Sequence, residues 1–595
     1  MSTHQGRERR EAFQLFLIKP SHYDDDGYVI QWVRSDIPSN TMAVLNGLAL
    51  DCNERRILGE NVDIKITASD ETNTRIKTKQ IIRTIEASGG KGLVALIGVQ
   101  SNQFPRAVDI ARPLRDAGIP VCIGGFHASG CLAMLPEVPA EIKEVWELGI
   151  SIFAGEAEGR LDEVLKDAYR NELKPLYNYL SDLPGLEGAL TPILPSSVIK
   201  RNLTARTSID CGRGCPFQCS FCTIINVQGR KSRYRSADDM EITLRENYAQ
   251  GITSLFITDD NFARNRNWEA IFDRVIKLRD EEDMKFDFII QVDTLCHLIP
   301  NFVEKSGRAG VKRVFIGLEN INPDNLIGAK KKQNRITEYR AMLQAWTRIG
   351  AITYCGYIIG FPNDTPERVL HDIEIIKREL PIDVIEFFCL TPLPGSEDHK
   401  VLDAKGVWMD PDLNKYDLEH VCTGHPLMSA EEFHTTYRQA WDAFFTDDHV
   451  ETIMRRAIAS GGESRKILKQ ALWFYGCHTI EGVHPLQGGL FRRKYRTDRR
   501  SNMPVESAFI FYPRYLRDIV SKSVRFLALA WKYARIRSRV EKDPLKHEYM
   551  DLALTPASDQ DLDNLRIFKA TESAKAATGK VRQQRARRAV KIAAG

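Results

Sequence analysis

Over the first two thirds of the chain, short apolar blocks alternate with amphipathic stretches, and this pattern predicts two successive β/α series. "AFQLFLIKPS" reads as a strand ending at Pro20, "KGLVALIGVQS" as a second, "IPVCIGGFH" as a third and "ISIFAGEAE" as a fourth. The helical pattern "FPRAVDIARPLRDAG" lies between the second and third. Strands that alternate with helices and end in glycine predict an open, doubly wound parallel sheet, here over 14–182 after a flexible start at 1–13. A Pro-rich linker over 183–200 follows, containing "LPGLEGALTPILPSS".

The alternation then resumes. "ARTSIDCG", "ITSLFITDDN", "FDFIIQVD", "RVFIGLEN", "AITYCGYIIGFP" and "DVIEFFCLTPL" read as strands, with helices such as "NWEAIFDRVIKLRDEE" and "ITEYRAMLQAWTRIGA" between them. Six β/α units over 201–424 predict a partial or complete β/α barrel, whose chemistry belongs on the loops after the strands. Strand signals fade beyond it. "SAEEFHTTYRQAWDAFF", "HVETIMRRAIAS" and "SRKILKQALWFYGC" read as helices, followed by a basic loop, "LFRRKYRTDRR", and a long basic helix from 514 to about 540. The expectation is a mainly helical region over 425–555 and a basic, disordered tail over 556–595. The fold class is α/β.

Composition narrows the setting. The 595 residues are 43% hydrophobic and 27% charged, which suits several globular domains, and the net charge of +4 does not announce a nucleic-acid binder. No apolar run has the length of a membrane span, and the opening "MSTHQGRERREAF" is too polar for a signal peptide, so a cytoplasmic, reducing setting is expected. There the 12 cysteines are thiols or metal ligands rather than disulfides. Eight are scattered singly: Cys52, Cys122, Cys131, Cys296, Cys355, Cys389, Cys422 and Cys477.

The other four share "CGRGCPFQCSFC", after the first strand of the second series. Structural zinc favours two separated knuckles, whereas here one short loop holds all four of these cysteines. An iron–sulfur cubane can take three thiolates and keep one iron open for a substrate. Cys215, Cys219 and Cys222, spaced C-x3-C-x2-C, are the candidates, with a zinc loop or free thiols as the alternative. Cys211 lies outside that spacing.

With this motif the chain resembles the radical S-adenosylmethionine (SAM) superfamily, in which Phe221 would be the aromatic before the last cysteine. The resemblance implies a 4Fe–4S cluster on Cys215, Cys219 and Cys222 with SAM on the open iron. Further segments are similar in order. "TDDNF" places Asp259, Asp260 and Asn261 where the family binds the methionine amine. "GLEN" puts Glu319 near the cofactor. "GYIIG" sets Gly356, Ile358 and Gly360 along the adenine, with Asn363 where an acidic residue is often found. "LTPLPGS" resembles the subgroup that carries a cobalamin domain.

The N-terminal sheet lacks G-x-G-x-x-G after its first strand, so a dinucleotide unit is disfavoured and a scaffold remains the plain alternative. "GVQSNQFPRAVDIARPLRDAGIPVCIGGFHAS" and "GEAEG" are similar to a cobalamin-binding domain. The resemblance implies Ser101, Gly124, Gly125, Gly155 and Glu156 as cobalamin residues. The D-x-H-x-x-G motif is absent, so no histidine ligand to cobalt is expected, and His127 lies outside that role.

In the long helix, Leu516, Ile519, Val520, Leu527 and Trp531 lie near one face, flanked by Arg517, Lys522, Arg525, Lys532 and Arg535. That pattern suits a surface helix, an interfacial helix on anionic lipid, or, with "FRRKYRTDRR", contact with RNA phosphates. Dispersed N-terminal cysteines set tRNA modification below small-molecule or lipid chemistry. The resemblance thus implies a cobalamin-dependent radical SAM enzyme that cleaves SAM to a 5′-deoxyadenosyl radical and C-methylates a small or lipid-like substrate. It would draw its electron from a flavodoxin or ferredoxin and lie in the cytoplasm or at the inner face of the membrane. A radical cyclase or oxidase without methyl transfer, and a non-catalytic Fe–S protein, are the alternatives.

Overall fold

The computed structural model describes residues 10–558 and 560–593, with side chains in the last helix described as far as 584. Two six-stranded parallel sheets dominate it. The first is built from β1 (Glu11–Lys19), β3 (Val62–Asp70), β4 (Gly92–Leu96), β5 (Val121–Gly124), β6 (Ser151–Ala154) and β7 (Leu176–Asn178) in the order β3-β1-β4-β5-β6-β7. Strand β2 (Gln31–Ser35) stands apart from it. The central strands are buried on both faces, as parallel strands under helices must be, which is why β1 and β4 read as near-continuous apolar runs.

The second sheet takes β8 (Arg206–Ile209), β11 (Ser254–Ile257), β12 (Asp287–Val292), β13 (Val311–Glu319), β14 (Ile352–Ile359) and β15 (Val384–Cys389). Between β8 and β11, the two-residue strands β9 (Gly212–Arg213) and β10 (Arg233–Tyr234) pair with each other. The order β15-β14-β13-β12-β11-β8 leaves β8 and β15 as edges, so the barrel is partial. All six of these strands stand where the apolar pattern predicts them.

Three features correct the sequence reading. The first strand begins at Glu11, inside the segment expected to be flexible, of which residues 1–9 lie outside the described residues. The basic loop of the C-terminal region is partly strand: β16 (Gly489–Arg493) pairs antiparallel with β2, and Trp32 fills the space a side chain at Gly489 would need, its Nε1 donating to Gln487 O at 2.9 Å. The expected tail is ordered over 560–593. Leu562, Leu565, Ile567 and Phe568 are buried in the barrel's own core, and the Glu379 carboxylate accepts from the Arg566 and Ile567 amides at 2.9 Å each. The helix Glu572–Ala593 follows.

The C-terminal helices Ala430–Phe444, Asp447–Ala459 and Ser464–Gly476 pack on the barrel through Trp441, whose ring lies 5.4 Å from that of Phe387 on β15. The helix Ala508–Lys542 packs on the second and third of these. Among the described residues no helix is long and apolar enough to cross a membrane.

Candidate functional site

The two sheets turn their C-terminal edges toward one cleft of about 2050 Å³. Ser21 and His22 reach it from the end of β1, and Gln100 and Ser101 from the end of β4. Asp210 and Arg213 come from the end of β8, Thr258 and Asp260 from the end of β11. A second, apolar chamber of about 1060 Å³ opens beside it on the first sheet, walled by Leu15, Leu93, Ala95, Cys122, Leu161 and Val164.

The cysteine loop follows β8. Its entry is clamped by Asp259, whose carboxylate accepts from the Cys211 and Gly212 amides at 2.7 and 2.9 Å and from Asn265 Nδ2 at 2.9 Å. Cys211 is fully buried there. Gly214 has φ +89°, and a Cβ on it would lie 2.4 Å from Lys231 O, so only glycine allows this turn. The far side of the loop is pinned by Ser220, whose amide donates to Ala329 O and whose carbonyl accepts from the Asp398 amide, each at 3.0 Å. Cys215 and Cys219 stand between these anchors and Cys222 just beyond the second.

Their surroundings suit a thiolate-bound cation. Burial pushes the Cys215 thiol up to about 11 and that of Cys222 up to about 12, so neither ionises at neutral pH without positive charge beside it. Gln333 Nε2 donates to Cys219 Sγ at 3.4 Å. Buried Lys331 lies over the Phe221 ring at 5.5 Å. Burial works against its charge, but the Glu319 carboxylate, its ion-pair partner, and the nearby cysteines hold its pKa up. Three thiols on one loop with an amide donor on the middle sulfur fit a cluster that keeps one iron free.

The remaining second-sheet residues divide. Asp259 is committed to the loop clamp. Asn261 is committed to Asp293, donating from Nδ2 to its carboxylate at 3.0 Å. Only Asp260 of that trio lines the cleft, where it is exposed. Glu319 sits at φ +63° beside an irregularity in the β13–β14 register, which turns it toward Lys331. Ile358 packs in one apolar cluster with Phe221 and Phe388. Gly356 and Gly360 are demanded by packing: an added Cβ would lie 3.0 Å from the Phe315 ring in the first case and 2.2 Å from the Phe433 ring in the second. Where the family often has an acid, Asn363 bonds Asn325 Oδ1 at 3.1 Å, and the next residue, Asp364, accepts from the Gly360 and Phe361 amides.

On the first sheet, Ser101 lines the cleft, and Gly124, Gly125, Gly155 and Glu156 line the chamber. The glycines are there for close backbone approach: a Cβ on Gly125 would lie 2.1 Å from Val99 N, and one on Gly155 2.9 Å from Tyr179 C. Glu156 is held by two arginines, Arg213 and Arg233. His127 is buried away from both hollows, its Nδ1 3.1 Å from Ser101 Oγ and its ring against Phe104.

Several residues here escape sequence reasoning. Arg213 and Arg233 read as loop charges, and Lys331 and Gln333 sit in "AKKKQN", which reads as a solvated turn. His22 and His484 both line the cleft, and burial lowers them to about 4 and about 3, leaving them neutral. No spacing motif marks any of the six.

Comparison with known proteins gives this geometry its relatives. Residues 209–376 match the radical SAM superfamily domain. The chain is 27% identical over 350 residues to bacteriochlorophyllide d C-8(2)-methyltransferase of Chlorobaculum tepidum, covering 55% of this chain and 72% of that protein. It is 25% identical over 293 residues to hopanoid C-2 methylase of Rhodopseudomonas palustris, covering 48% and 53%. Among solved structures, it is similar to the radical SAM methyltransferase TsrM from Kitasatospora setae with cobalamin and a 4Fe–4S cluster bound. The TM-score is 0.55 at 15% identity, over 77% of this chain and 99% of that one. The cobalamin-dependent radical enzyme OxsB aligns over 94% of this chain and 84% of its own, with TM-score 0.51 at 13% identity. The matched domain begins at the end of β8, takes in the whole cysteine loop and runs past β14, so residues 209–376 form a radical SAM superfamily domain of an enzyme whose fold is shared by TsrM and OxsB.

Proposed function

We propose that this chain is a cobalamin-dependent radical SAM C-methyltransferase acting on a small or lipid-like acceptor. One observation carries the reading: Gly212, Arg213, Thr223 and Ile224, which flank the three cysteines, line the cleft, and the apolar chamber of the first sheet adjoins that cleft through Gly98, Phe126 and Arg213. Cobalamin held at the chamber would then adjoin SAM held at the cysteine loop. Cys215, Cys219 and Cys222 would hold the cluster. Asp260, the one free carboxyl on that wall, and Glu319, neutralised by Lys331, would face the methionine and ribose ends of SAM. Ser101 and the backbone at Gly124, Gly125 and Gly155 would border cobalamin.

When bound, the cluster supplies the electron that opens the SAM sulfonium, and cobalamin supplies the methyl carrier. The chain's own share is different. Lys331 offsets thiolate charge at the loop, Gln333 donates to the Cys219 sulfur, and the apolar walls of the chamber exclude water from that part of the site. The sequence relatives, by name a bacteriochlorophyllide d methyltransferase and a hopanoid methylase, support methylation as the outcome. The electron donor proposed is a flavodoxin- or ferredoxin-type protein, and the setting is the cytoplasm, with peripheral contact at the inner face of the membrane.

The chamber gives the test. The anaerobically purified full chain should bind hydroxocobalamin in the micromolar range, about −8 kcal/mol, and Ala95→Phe, which fills the chamber, should weaken binding at unchanged cluster content. Equal binding by both proteins would remove cobalamin from the first sheet.

A further inference from the structure

The helix Ala508–Lys542 leaves most of one face without a partner. Phe509, Tyr512, Leu516, Val520, Leu527 and Trp531 recur at three-, four- and seven-residue intervals, so they form one stripe. All are exposed, Leu516 by 63%, Leu527 by 71% and Trp531 by 64%. Thirty-five residues span about 50 Å. A continuous apolar stripe of that length on a soluble surface marks a contact.

Charge says with what. Arg517, Arg525 and Arg535 have no carboxylate partner among the described residues; Arg525 donates only to Thr479 O, and Arg535 lies over the Trp531 ring at 4.7 Å. The other two basic residues of the pattern are already neutralised, Lys522 by Glu481 and Asp518, Lys532 by Asp447. Ile519 is half-buried and drops out of the stripe. From Phe509 to Arg539 the helix exposes no acidic residue, since Asp518, its one acid there, is half-buried. A second copy laid on the same face would oppose arginine to arginine with no acid to pair them. An apolar stripe with aromatic ends and unpaired arginines suits the boundary between acyl chains and anionic headgroups.

The helix also adjoins the site. A hollow of about 780 Å³ shares His22, Ile30, Asp417 and Gln487 with the cleft and has Asp518 and Lys522 of this helix in its wall. We infer that the outward face of Ala508–Lys542 docks on an anionic lipid bilayer and sets the cleft beside it. The inference deepens the lipid-like acceptor of the proposed function but stands on the helix alone. Sedimentation of the chain without cofactors therefore tests it separately from the cofactor chemistry.

Full-length protein is spun with vesicles of phosphatidylcholine alone or mixed with phosphatidylglycerol, at low and high salt. The wild type should pellet with the anionic vesicles at low salt and release at high salt. Arg517→Glu with Arg535→Glu should weaken binding at least about tenfold, and Leu516→Ser with Leu527→Ser should abolish it. Brominated acyl chains should quench wild-type fluorescence, and Trp531→Phe should remove that quenching, a readout independent of the other variants. Wild-type protein left in the supernatant at low salt overturns the inference. So does a stripe buried in a dimer by light scattering, with no quenching by lipid.

Discussion

Arg213, two residues before the first cysteine of the cluster motif, donates to Glu156 Oε2 and Glu158 Oε1 at 2.6 Å each and to Asp210 Oδ2 at 2.9 Å. The first two acceptors belong to the segment after β6 and the third follows β8, so a single guanidinium ties the cysteine loop to the first sheet. Arg233 reaches Glu156 and Arg235 reaches Asp210, so three guanidiniums balance three carboxylates in a buried network. Such a network holds the spacing between the two halves of the site.

Arg213→Met should therefore cost far more than a surface charge. It leaves Glu158 without its cation and Glu156 with one of two, in a setting where losing one partner of a buried pair costs about 3–5 kcal/mol. The expected result is a lower melting temperature and joint loss of cluster and cobalamin retention. Unchanged melting, or loss of only one cofactor, would refute the tie.

Gly130 and Gly395 form the second joint. The helix Phe126–Met134 meets the loop after β15 so closely that a Cβ on Gly130 would lie 2.4 Å from Pro394 O, and Gly395 is held at φ +98°. Gly130→Ala should push the sheets apart at a cost of about 1–3 kcal/mol. Hydrogen exchange should then rise in both partners, Phe126–Met134 and the loop after β15. Exchange unchanged in both would show that the contact is not needed.

How much of this was legible follows from where the signals lie. The second sheet reads cleanly because each of its strands is an apolar run bounded by turns. On the first sheet β3 was missed: Val62 and Ile64 alternate with Asp63 and Lys65 on an edge strand, and only one face is apolar. Composition alone points to disorder over 556–595, because Leu565, Ile567 and Phe568 are few among many Lys, Arg and Ala, yet within the described residues they anchor the segment; 559, 594 and 595 lie outside the described residues. The cysteine loop was visible from spacing alone. The commitments of Asp259 and Asn261 were not, since they are set by hydrogen bonds to residues of other loops.

Glu386, on β15, gives a pH test. It is buried, its Oε2 has no hydrogen-bond partner among the described residues, and burial raises its carboxyl from 4.5 to about 8. Between those values the unfolded chain gives up a proton that the folded chain keeps, so stability falls as pH rises, by at most about 1.4 kcal/mol per unit, and levels off above about 8. Glu386→Gln should flatten this fall and melt higher than the wild type at pH 8. Parallel melting curves from pH 5 to about 8 would contradict it.

Gln333→Leu removes the amide donor on the Cys219 sulfur. Fewer hydrogen bonds to cluster sulfur disfavour the added electron, so the midpoint potential should fall at unchanged iron content. An unaltered potential in a redox titration would show that this contact does not reach the cluster.

The central claim is that this cleft holds a three-cysteine cluster, SAM and cobalamin together. The direct measurement is anaerobic reconstitution of the full chain with iron, sulfide and hydroxocobalamin, followed by reduction in the presence of SAM. The account predicts about four irons per chain, retained cobalamin and release of 5′-deoxyadenosine. Cys215→Ala, Cys219→Ala and Cys222→Ala should each lose the iron and the product, while Cys211→Ala should keep part of both. Stoichiometric zinc without charge-transfer absorption, and SAM recovered intact after reduction, would contradict it.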